Sequence, residues 1–313
     1  MILCSGENLI DFVPIDNNSY SFKTCVGGSP LNTAIGLGSL NTPVYFFSRI
    51  STDFFGKNII NFLKKHKVKT SLIQRTADKT TIVFISNKKN PEFSFYTNKT
   101  ADRNLSDYSF HKSIKEKITL AHFASISLVL KPGSETYFKM MKELKKNSLI
   151  SIDPNIRPPI IENKKKFLKR YNEFLKIADI IKLSNEDFIY LNNNINYDKI
   201  ILDWINKNNI IFVILTKGEK GSILYTQKFR LKIKAYKVKV RDTVGAGDIF
   251  YSGIINYLYK KNNLNKNNLK KLSKIEWKDC LNFASKASAI CCSKDGCYPP
   301  SEKEITKFKY FQK

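Results

Sequence analysis

Short apolar runs alternate along the chain with longer segments whose apolar residues recur every three or four positions. Apolar runs bounded by polar or glycine residues are typical of buried strands, whereas the three- and four-residue spacing predicts amphipathic helices. The strand candidates are ILCSGENLIDF at the N-terminus, 44–50, 148–153, 179–184 and 210–218, and the helix candidates are 54–67, 135–146, 164–178 and 198–208. Strands that alternate with helices predict an α/β fold around a mainly parallel sheet.

Two segments interrupt this alternation and predict a second, smaller sheet. Residues 12–26 and 80–97 resemble short strands joined by polar turns, and in the later segment TIVFIS and FSFYT flank NKKNPE in a hairpin pattern. Such a sheet would be able to close over a site as a lid. Two ordinary edge hairpins are the alternative, and periodicity does not decide between them. We expect one domain over residues 1–313 with these two segments as lid insertions.

The composition is that of a globular protein, with 42% hydrophobic residues in a chain of 313. A chain of about 300 residues buries roughly 75% of its unfolded surface, so its core needs no disulfide or metal. The N-terminal residues lack the basic region and cleavage site of a signal peptide, and no apolar run approaches the ~20 residues of a membrane helix. We therefore expect a cytoplasmic protein without a membrane partner.

The cysteines form no C-x-x-C pair, which favours reduced thiols. A metal site at Cys291, Cys292 and Cys297 is the weaker alternative. The formal net charge of +26 comes mostly from lysines spread over many segments, which we interpret as solvated helix faces. A basic surface attracts polyanions, including nucleotides. No base-reading motif accompanies the charge, so we expect no specific nucleic-acid partner.

The segment VRDTVGAGDIF, residues 240–250, combines glycines and acids at the start of an apolar helical stretch. If a helix begins near Ala246, its first amides lack partners within the helix, and Gly245 and Gly247 let a ligand approach them. Such amides bind anions and stabilise charge on a transferring phosphoryl group. Asp248 is then better suited to accept a proton from an attacking hydroxyl than to bind phosphate. Capping of the helix is the alternative role for Asp248.

DTVGAGD resembles the C-terminal signature of the ribokinase-like, phosphofructokinase-B-type carbohydrate kinases. The resemblance implies a three-layer α/β/α domain with a mainly parallel sheet and a small β-lid. It also implies an anion hole formed by Gly245, Ala246 and Gly247, with Asp248 as the catalytic base. Asp242 would lie near a monovalent-cation loop, where K⁺ is the ion expected.

Two further segments resemble the nucleotide-binding parts of that family. TKGEKG is similar to the T-x-G-x-x-G turn that follows a strand, although alone it would be an ordinary glycine turn. FASKASAICCSKDGCYPP is similar to the final helix and loop around the adenine, with Ser285 where the family commonly has Asn. The residues implied in ATP binding are Thr216, Gly218, Gly221, Ser285 and Gly296.

The sugar-binding parts of the family also have counterparts. VGGSPLNTAIGLGSL resembles the N-terminal signature, in which glycines admit a polyol and an Asn bonds its hydroxyls. Asp11, placed at the end of the first strand, would accept hydrogen bonds from the sugar, and a strand-end turn is its alternative. DPNIRPP is similar to a segment of bacterial fructokinases whose Arg bonds a sugar hydroxyl or a phosphate. The implied sugar-binding residues are Asp11, Gly27, Gly28, Asn32 and Arg157.

KLSNEDF, residues 182–188, is similar to the acidic element that the family associates with magnesium and phosphate. The family's final Glu is replaced here by Asp187, which is one methylene shorter. Either Asp187 acts through water, or the adjacent Glu186 takes its role. A capping box started by Ser184 is the alternative.

The resemblance covers nearly the whole chain, and GENLIDF, GGSPLN, FYTNKTAD and DPNIRP are most similar to fructokinases. It implies transfer of the γ-phosphoryl group of ATP to the C6 hydroxyl of D-fructose with Mg²⁺, and a homodimer formed through the lids. A kinase of the same fold that acts on 2-dehydro-3-deoxygluconate or ribose is the nearest alternative. A non-catalytic kinase-like protein that binds nucleic acid is the alternative from another class.

Overall fold

A mostly parallel sheet lies at the centre of the computed structural model, which describes residues 1–15, 21–86, 92–110, 112–192 and 196–308. Within these ranges the sheet has eight strands in the order β14-β13-β12-β11-β10-β9-β1-β4. All neighbours pair in parallel except β12 with β13 and β13 with β14. Their bounds are β1 Ile2–Ser5, β4 Val44–Phe47, β9 Leu120–Ala124, β10 Leu149–Asp153, β11 Ile180–Ser184, β12 Phe212–Thr216, β13 Ser222–Thr226 and β14 Arg230–Ile233.

Helices cover both faces of this sheet. They are α1 Ser29–Ser39, α2 Phe54–Lys65, α3 Lys112–Lys115, α4 Gly133–Leu144, α5 Lys164–Ile177, α6 Asn185–Asn192, α7 Tyr197–Asn208, α8 Ala246–Lys260, α9 Lys266–Lys271, α10 Lys274–Cys292 and α11 Glu302–Lys307. One apolar core lies between the sheet and α1, α2, α8 and α10, and the other lies between the sheet and α4, α5 and α7. The predicted three-layer α/β/α arrangement is confirmed.

The smaller sheet forms from the two segments that interrupt the alternation. Its order is β3-β2-β7-β8, with bounds β2 Leu9–Pro14, β3 Phe22–Gly27, β7 Thr81–Ile85 and β8 Phe93–Tyr96. Phe12 stacks on Phe84 with ring centroids 4.6 Å apart, and Phe22 meets Phe84 edge-on. Two further short strands, β5 Arg49–Ser51 and β6 Gln74–Thr76, pair with each other. Most of the NKKNPE turn and of the turn within 12–26 lies outside the described residues.

The N-terminal run, predicted as a single strand, is divided between the two sheets. β1 ends at Ser5, the chain turns at Gly6 with φ 148°, and β2 begins at Leu9 in the smaller sheet. The prediction that Asp11 ends the first strand is therefore wrong, because Asp11 lies within β2 and pairs with Cys25 of β3. Glu7 and Asn8 are buried at the junction, where their polar side chains bond to other loops.

Helices α1 and α8 run in the same direction, side by side. Ser29 contacts Asp248 near the start of both helices, and the Asn256 amide donates to the carbonyl of Leu40 at the end of α1. Gly36 lies between these contacts, and a methyl group there would overlap the Ser252 hydroxyl. Close packing of the two helices therefore brings both of their N-termini to one place.

Gly36→Ala should lower the free energy of unfolding by about 1–2 kcal/mol. The added methyl overpacks the α1–α8 contact, although the better helix propensity of Ala offsets part of the cost. Urea unfolding of Gly36→Ala, Ser252→Gly and the double variant forms a double-mutant cycle. Since Ser252→Gly removes the obstructing atoms, the double variant should be about 1 kcal/mol more stable than additivity predicts. If the two changes in the free energy of unfolding simply add in the double variant, Gly36 and Ser252 do not limit how closely α1 and α8 pack.

Candidate active site

The polar residues of the candidate site collect at the carboxyl ends of the parallel strands. Asp153 ends β10, Ser184 ends β11, and Thr216 ends β12. The N-termini of α1 and α8 open at the same edge, as the contact between Ser29 and Asp248 shows. Ligands of open α/β sheets bind in the crevice outside these strand ends.

Asp248 is a buried carboxylate held by two side chains of α1. Its Oδ1 accepts from the Ser29 hydroxyl at 2.8 Å, and its Oδ2 accepts from Asn32 Nδ2 at 3.0 Å. Burial raises the pKa of Asp248, while Lys182, Asn32 and Ser29 act in the opposite direction. The side chain is therefore bonded across to another helix, which differs from the capping role considered as its alternative.

The first turn of α8 has amides without a partner inside the helix, although the Ala246 amide donates to the carbonyl of Thr243 at 3.2 Å. Gly245 takes the left-handed conformation with φ 73°, and a side chain there would overlap Cys297. Within the described residues no side chain caps this helix start. Gly247 follows in the first turn, and the carbonyl of Ala246 accepts from the Ser288 hydroxyl at 3.0 Å. The predicted helix start at Ala246 is confirmed, and the geometry is suited to an anion.

A buried lysine lies beneath this turn, and the sequence reasoning missed it. Lys182 and Asp153 form an ion pair, and their side chains are 6% and 2% exposed. A Cβ built on Gly247 would lie 3.1 Å from Lys182 Nζ. Burial disfavours the charged Lys182, but Asp153 and Asp248 outweigh it and raise its pKa. A lysine inside the apolar strand IIKLS was the signal available in the sequence.

The start of α1 is held by a second buried acid that the sequence reasoning also missed. Glu7 Oε1 accepts from the amide of Ser29 at 2.9 Å, and Oε2 accepts from the amide of Ser127 at 3.4 Å. Burial raises the pKa of Glu7 to about 8. Gly28 has φ 117°, and a side chain there would lie 2.6 Å from the carbonyl oxygen of Glu7. The glycine is thus required by both conformation and space.

The remaining sugar-site candidates border Asp248. The Asp11 carboxylate packs directly against Gly27, where any Cβ would overlap it. Burial raises the pKa of Asp11 to about 7, although Arg157 lowers it. Arg157 also acts on the Asp248 charge, and its guanidinium donates to Asn155 Oδ1 at 2.8 Å. The structure thus places Asn32 against Asp248 and Asp11 against Gly27, with Arg157 close enough to act on both carboxylates.

Both carboxylate oxygens of Asp187 accept hydrogen bonds from backbone amides. Its Oδ1 accepts from the amide of Ile156, and its Oδ2 accepts from the amide of Ser184 at 2.8 Å. The Ser184 hydroxyl accepts from the amide of Asp187, which completes the capping arrangement considered as the alternative. Asp187 therefore links the loop after β10 to the start of α6, while the neighbouring Glu186 is exposed to solvent.

Asp242 has a similar bridging position. Its Oδ1 accepts from the amide of Val244 and its Oδ2 from the amide of Gly296, both at 2.9 Å. These bonds tie the segment before α8 to the loop after α10. Within the described residues no cluster of three or more His, Cys, Asp or Glu side chains is placed to hold a metal ion.

The nucleotide-site candidates lie beside this region on three elements. The Thr216 hydroxyl donates to the carbonyl of Leu183 at 3.3 Å, and Gly218 and Gly221 bracket a single 3₁₀ turn before β13. A Cβ at Gly296 would meet open space, whereas Ser285 is buried in α10. Thr216 lies at the end of β12, and Gly296 is tied to Asp242 before α8, which places both at the strand-end side of the sheet.

Comparison with known proteins agrees with this arrangement. The model of the pfkB family carbohydrate kinases matches residues 1–304. The chain belongs to this family. A fructokinase of Rhizobium leguminosarum bv. trifolii is 34% identical over 269 residues, which cover 85% of this chain and 82% of the relative.

Solved structures are similar over nearly the whole kinase. A Xylella fastidiosa fructokinase with bound ATP has a TM-score of 0.89 and 25% identity, covering 97% of this chain and 96% of its own. A Vibrio cholerae O395 fructokinase solved with fructose, ADP and calcium has a TM-score of 0.84 and 23% identity, covering 98% of each chain. The second likeness concerns the fold alone. Within the described residues no helix is long and apolar enough to cross a membrane.

Glu7→Gln should change how the stability of this kinase depends on pH. The folded pKa of Glu7, about 8, lies above its ordinary value of 4.5, so the native state binds this proton more tightly. The stability that the protonated carboxyl contributes is complete below 4.5 and is lost as the pH rises towards 8. Glutamine cannot ionise. The free energy of unfolding of the variant should therefore rise relative to that of the wild type as the pH increases across this window, by at most about 1.4 kcal/mol per pH unit.

Chemical denaturation at a series of pH values measures this difference. Glu162→Gln, at an exposed glutamate, is the matched control and should follow the wild-type curve. A constant difference between Glu7→Gln and wild type would show that Glu7 does not titrate in this window.

Proposed function

We propose that this kinase is an ATP-dependent fructokinase that transfers the γ-phosphoryl group to the 6-hydroxyl of D-fructose. The observation that carries the proposal is the buried Asp248 beside the open amides of α8, with hydroxyl-binding side chains around it. The Rhizobium leguminosarum relative and the ATP-bound Xylella fastidiosa structure are both fructokinases, which favours a ketose among the sugars of the family.

Asp248 is the group that receives the proton. As the 6-hydroxyl oxygen attacks the γ-phosphorus, its O–H bond breaks and the proton passes to the carboxylate. Ser29 and Asn32 orient that carboxylate by one hydrogen bond each. Burial raises the pKa of Asp248, which makes its carboxylate a stronger proton acceptor. The side chain must nevertheless be ionised before the reaction begins.

The sugar would be held by groups that have spare hydrogen-bonding capacity. Asn32 Oδ1 is buried and has no partner among the described residues, so it can accept from a sugar hydroxyl. Asp11 offers a second acceptor, and Arg157 offers donors. Gly27 and Gly28 let the Asp11 carboxylate and the Glu7 carbonyl pack closely beside the start of α1.

The phosphoryl group would be stabilised by backbone amides. The turn of Gly245, Ala246 and Gly247 supplies donors where negative charge develops. ATP would extend towards Thr216, Gly218, Gly221 and Gly296, with Ser285 behind the adenine.

The carboxylates of Glu186 and Asp187 fit a magnesium ion that the protein holds weakly. Mg²⁺ usually keeps several waters and takes one or two carboxylates plus substrate phosphates. The exposed Glu186 is free to serve through water, whereas both Asp187 oxygens already accept amides. The ion would neutralise phosphate charge. We also propose a monovalent cation, K⁺ being expected, beside the loop that Asp242 organises.

We extend the proposal to the smaller sheet and to the setting of the enzyme. Segments 12–26 and 80–97 would be lid insertions in one domain, and closing of their sheet would exclude water. The lids would pair two subunits. The tests of a cytoplasmic location and of a homodimer are fractionation of cells and light scattering, respectively.

Asp248→Asn should abolish sugar phosphorylation and leave ATP binding largely intact. The amide keeps the size of the side chain but cannot take the proton, a loss of about 10²–10⁴-fold in kcat. Coupled ADP detection measures turnover, and calorimetry measures ATP binding. Asp279→Asn, at an exposed residue of α10, is the control and should retain wild-type turnover. Unchanged turnover in Asp248→Asn would remove this residue from the mechanism.

A panel of sugars tests the substrate. D-fructose should give the highest kcat/KM, and NMR of the product should show phosphate on O6. Higher kcat/KM with 2-dehydro-3-deoxygluconate or ribose would contradict fructose as the preferred substrate but would agree with the assignment as a sugar kinase. Salt-sensitive binding to random DNA without any sugar-dependent ADP release would contradict the proposal as a whole.

A further inference from the structure

The ion pair of Lys182 and Asp153 has a large desolvation cost, because both of its charges are buried. Both charges are almost completely removed from solvent. Asp153 Oδ1 is buried without a partner among the described residues, so the pair is incompletely satisfied. Buried pairs of this kind commonly contribute no more stability than apolar side chains of the same volume. A contribution to folding therefore does not explain why two charges are buried here.

The position of Lys182 points to the site. Side chains alternate along β11, so Lys182 shares the face of Ile180, on which α1 and α8 pack. Its Nζ lies under Gly247, one residue before Asp248. The ammonium is thus enclosed between a carboxylate at the end of β10 and the base at the start of α8.

Several groups set the electrostatic environment of Asp248. Burial disfavours its ionised form, and Lys182 is the largest opposing influence, followed by the hydrogen bonds from Asn32 and Ser29 and by the charge of Arg157. Asp153 competes for the same ammonium, and burial raises its own pKa to about 6, with Lys182 lowering it. The groups that face Asp248 are Lys182 of β11, Asp153 of β10, Arg157 after β10, Ser29 and Asn32 of α1, and Cys297 after α10.

We propose that the Asp153–Lys182 pair is a positioning element for the base: Lys182 holds Asp248 ionised and ready to accept a hydroxyl proton, and Asp153 holds Lys182 in place. The proposal rests on the proposed function for its catalytic consequence. The electrostatic part concerns the ligand-free protein and is measured without a sugar.

The two members of the pair should act on Asp248 in opposite directions. Lys182→Met removes the countercharge, so the pKa of Asp248 should rise by about one unit or more. Asp153→Asn removes a competing negative charge and leaves the ammonium to Asp248, so the pKa of Asp248 should fall. If the substitutions acted only through loss of packing, the pKa of Asp248 would shift in the same direction in both variants or would not shift at all.

Carboxyl NMR titration of protein labelled at aspartate measures these shifts, with the Asp248 signal identified by its absence in Asp248→Asn. Lys145→Met is the matched control, because Lys145 pairs with the buried Asp179 at the other end of β11, at 2.8 Å. That variant loses an ion pair to a buried aspartate, although Asp179 keeps Lys266 at 3.4 Å, and it should leave the Asp248 titration unchanged. If Lys182→Met fails to fold, a downward shift of the Asp248 pKa in Asp153→Asn still supports the action of the pair on the base, and an upward or absent shift contradicts it.

The pH dependence of kcat/KM for fructose and ATP gives the second readout. The acidic limb should move up in Lys182→Met and down in Asp153→Asn, and Lys182→Arg, which keeps the charge, should restore the wild-type limb. Shifts of equal sign in both variants, or loss of turnover with an unchanged Asp248 titration, would overturn the proposal. Absence of sugar phosphorylation in the wild type would contradict the proposed function, while the NMR shifts would still test the ion pair.

Discussion

The site depends on a carboxylate that bridges the starts of two parallel helices. Asp248 belongs to α8, but both of its hydrogen-bond donors belong to α1. A buried carboxylate without donors is strongly unfavourable, so these bonds and the close packing at Gly36 support each other. The same bridge places the start of α1, where we propose the sugar binds, beside the start of α8, where we propose the phosphoryl group binds. Separation of the two helices would therefore disturb both halves of the site at once.

The acids around the crevice have two different roles. Glu7, Asp187 and Asp242 each accept backbone amides with both oxygens and fix loops that would otherwise move independently. Asp11, Asp153 and Asp248 have pKa values raised by burial, as Glu7 has, but among the described residues their side chains are not bonded to two backbone amides. The first set fixes loops around the crevice, and the second set is the one to which we assign its chemistry.

Local patterns predicted much of the fold because strands and helices carry their periodicity in neighbouring residues. They failed where an element depends on distant partners. The strand Leu120–Ala124 was missed because His122 interrupts its apolar run, yet this strand is fully buried between β1 and β10. The hairpin of β13 and β14 was missed for a related reason, since its exposed edge carries Arg230 and Lys232. The prediction that Asp11 ends a strand treats the N-terminal run as one strand, although residues 5–8, Ser-Gly-Glu-Asn, divide it into two.

By itself the sequence determined the α/β layering, the helix start at Ala246 and many, but not all, of the candidate residues of the crevice, since Lys182 and Glu7 were not among them. Each of these follows from short-range order: the spacing of apolar residues, glycines before a helix, and motifs of a few residues. Only the tertiary structure decided which groups meet. Asp248 with Ser29, Lys182 with Asp153, and Asp187 with the amide of Ile156 are pairs far apart in the chain. Their protonation and orientation depend on burial and on partners from other elements, and no local pattern records either.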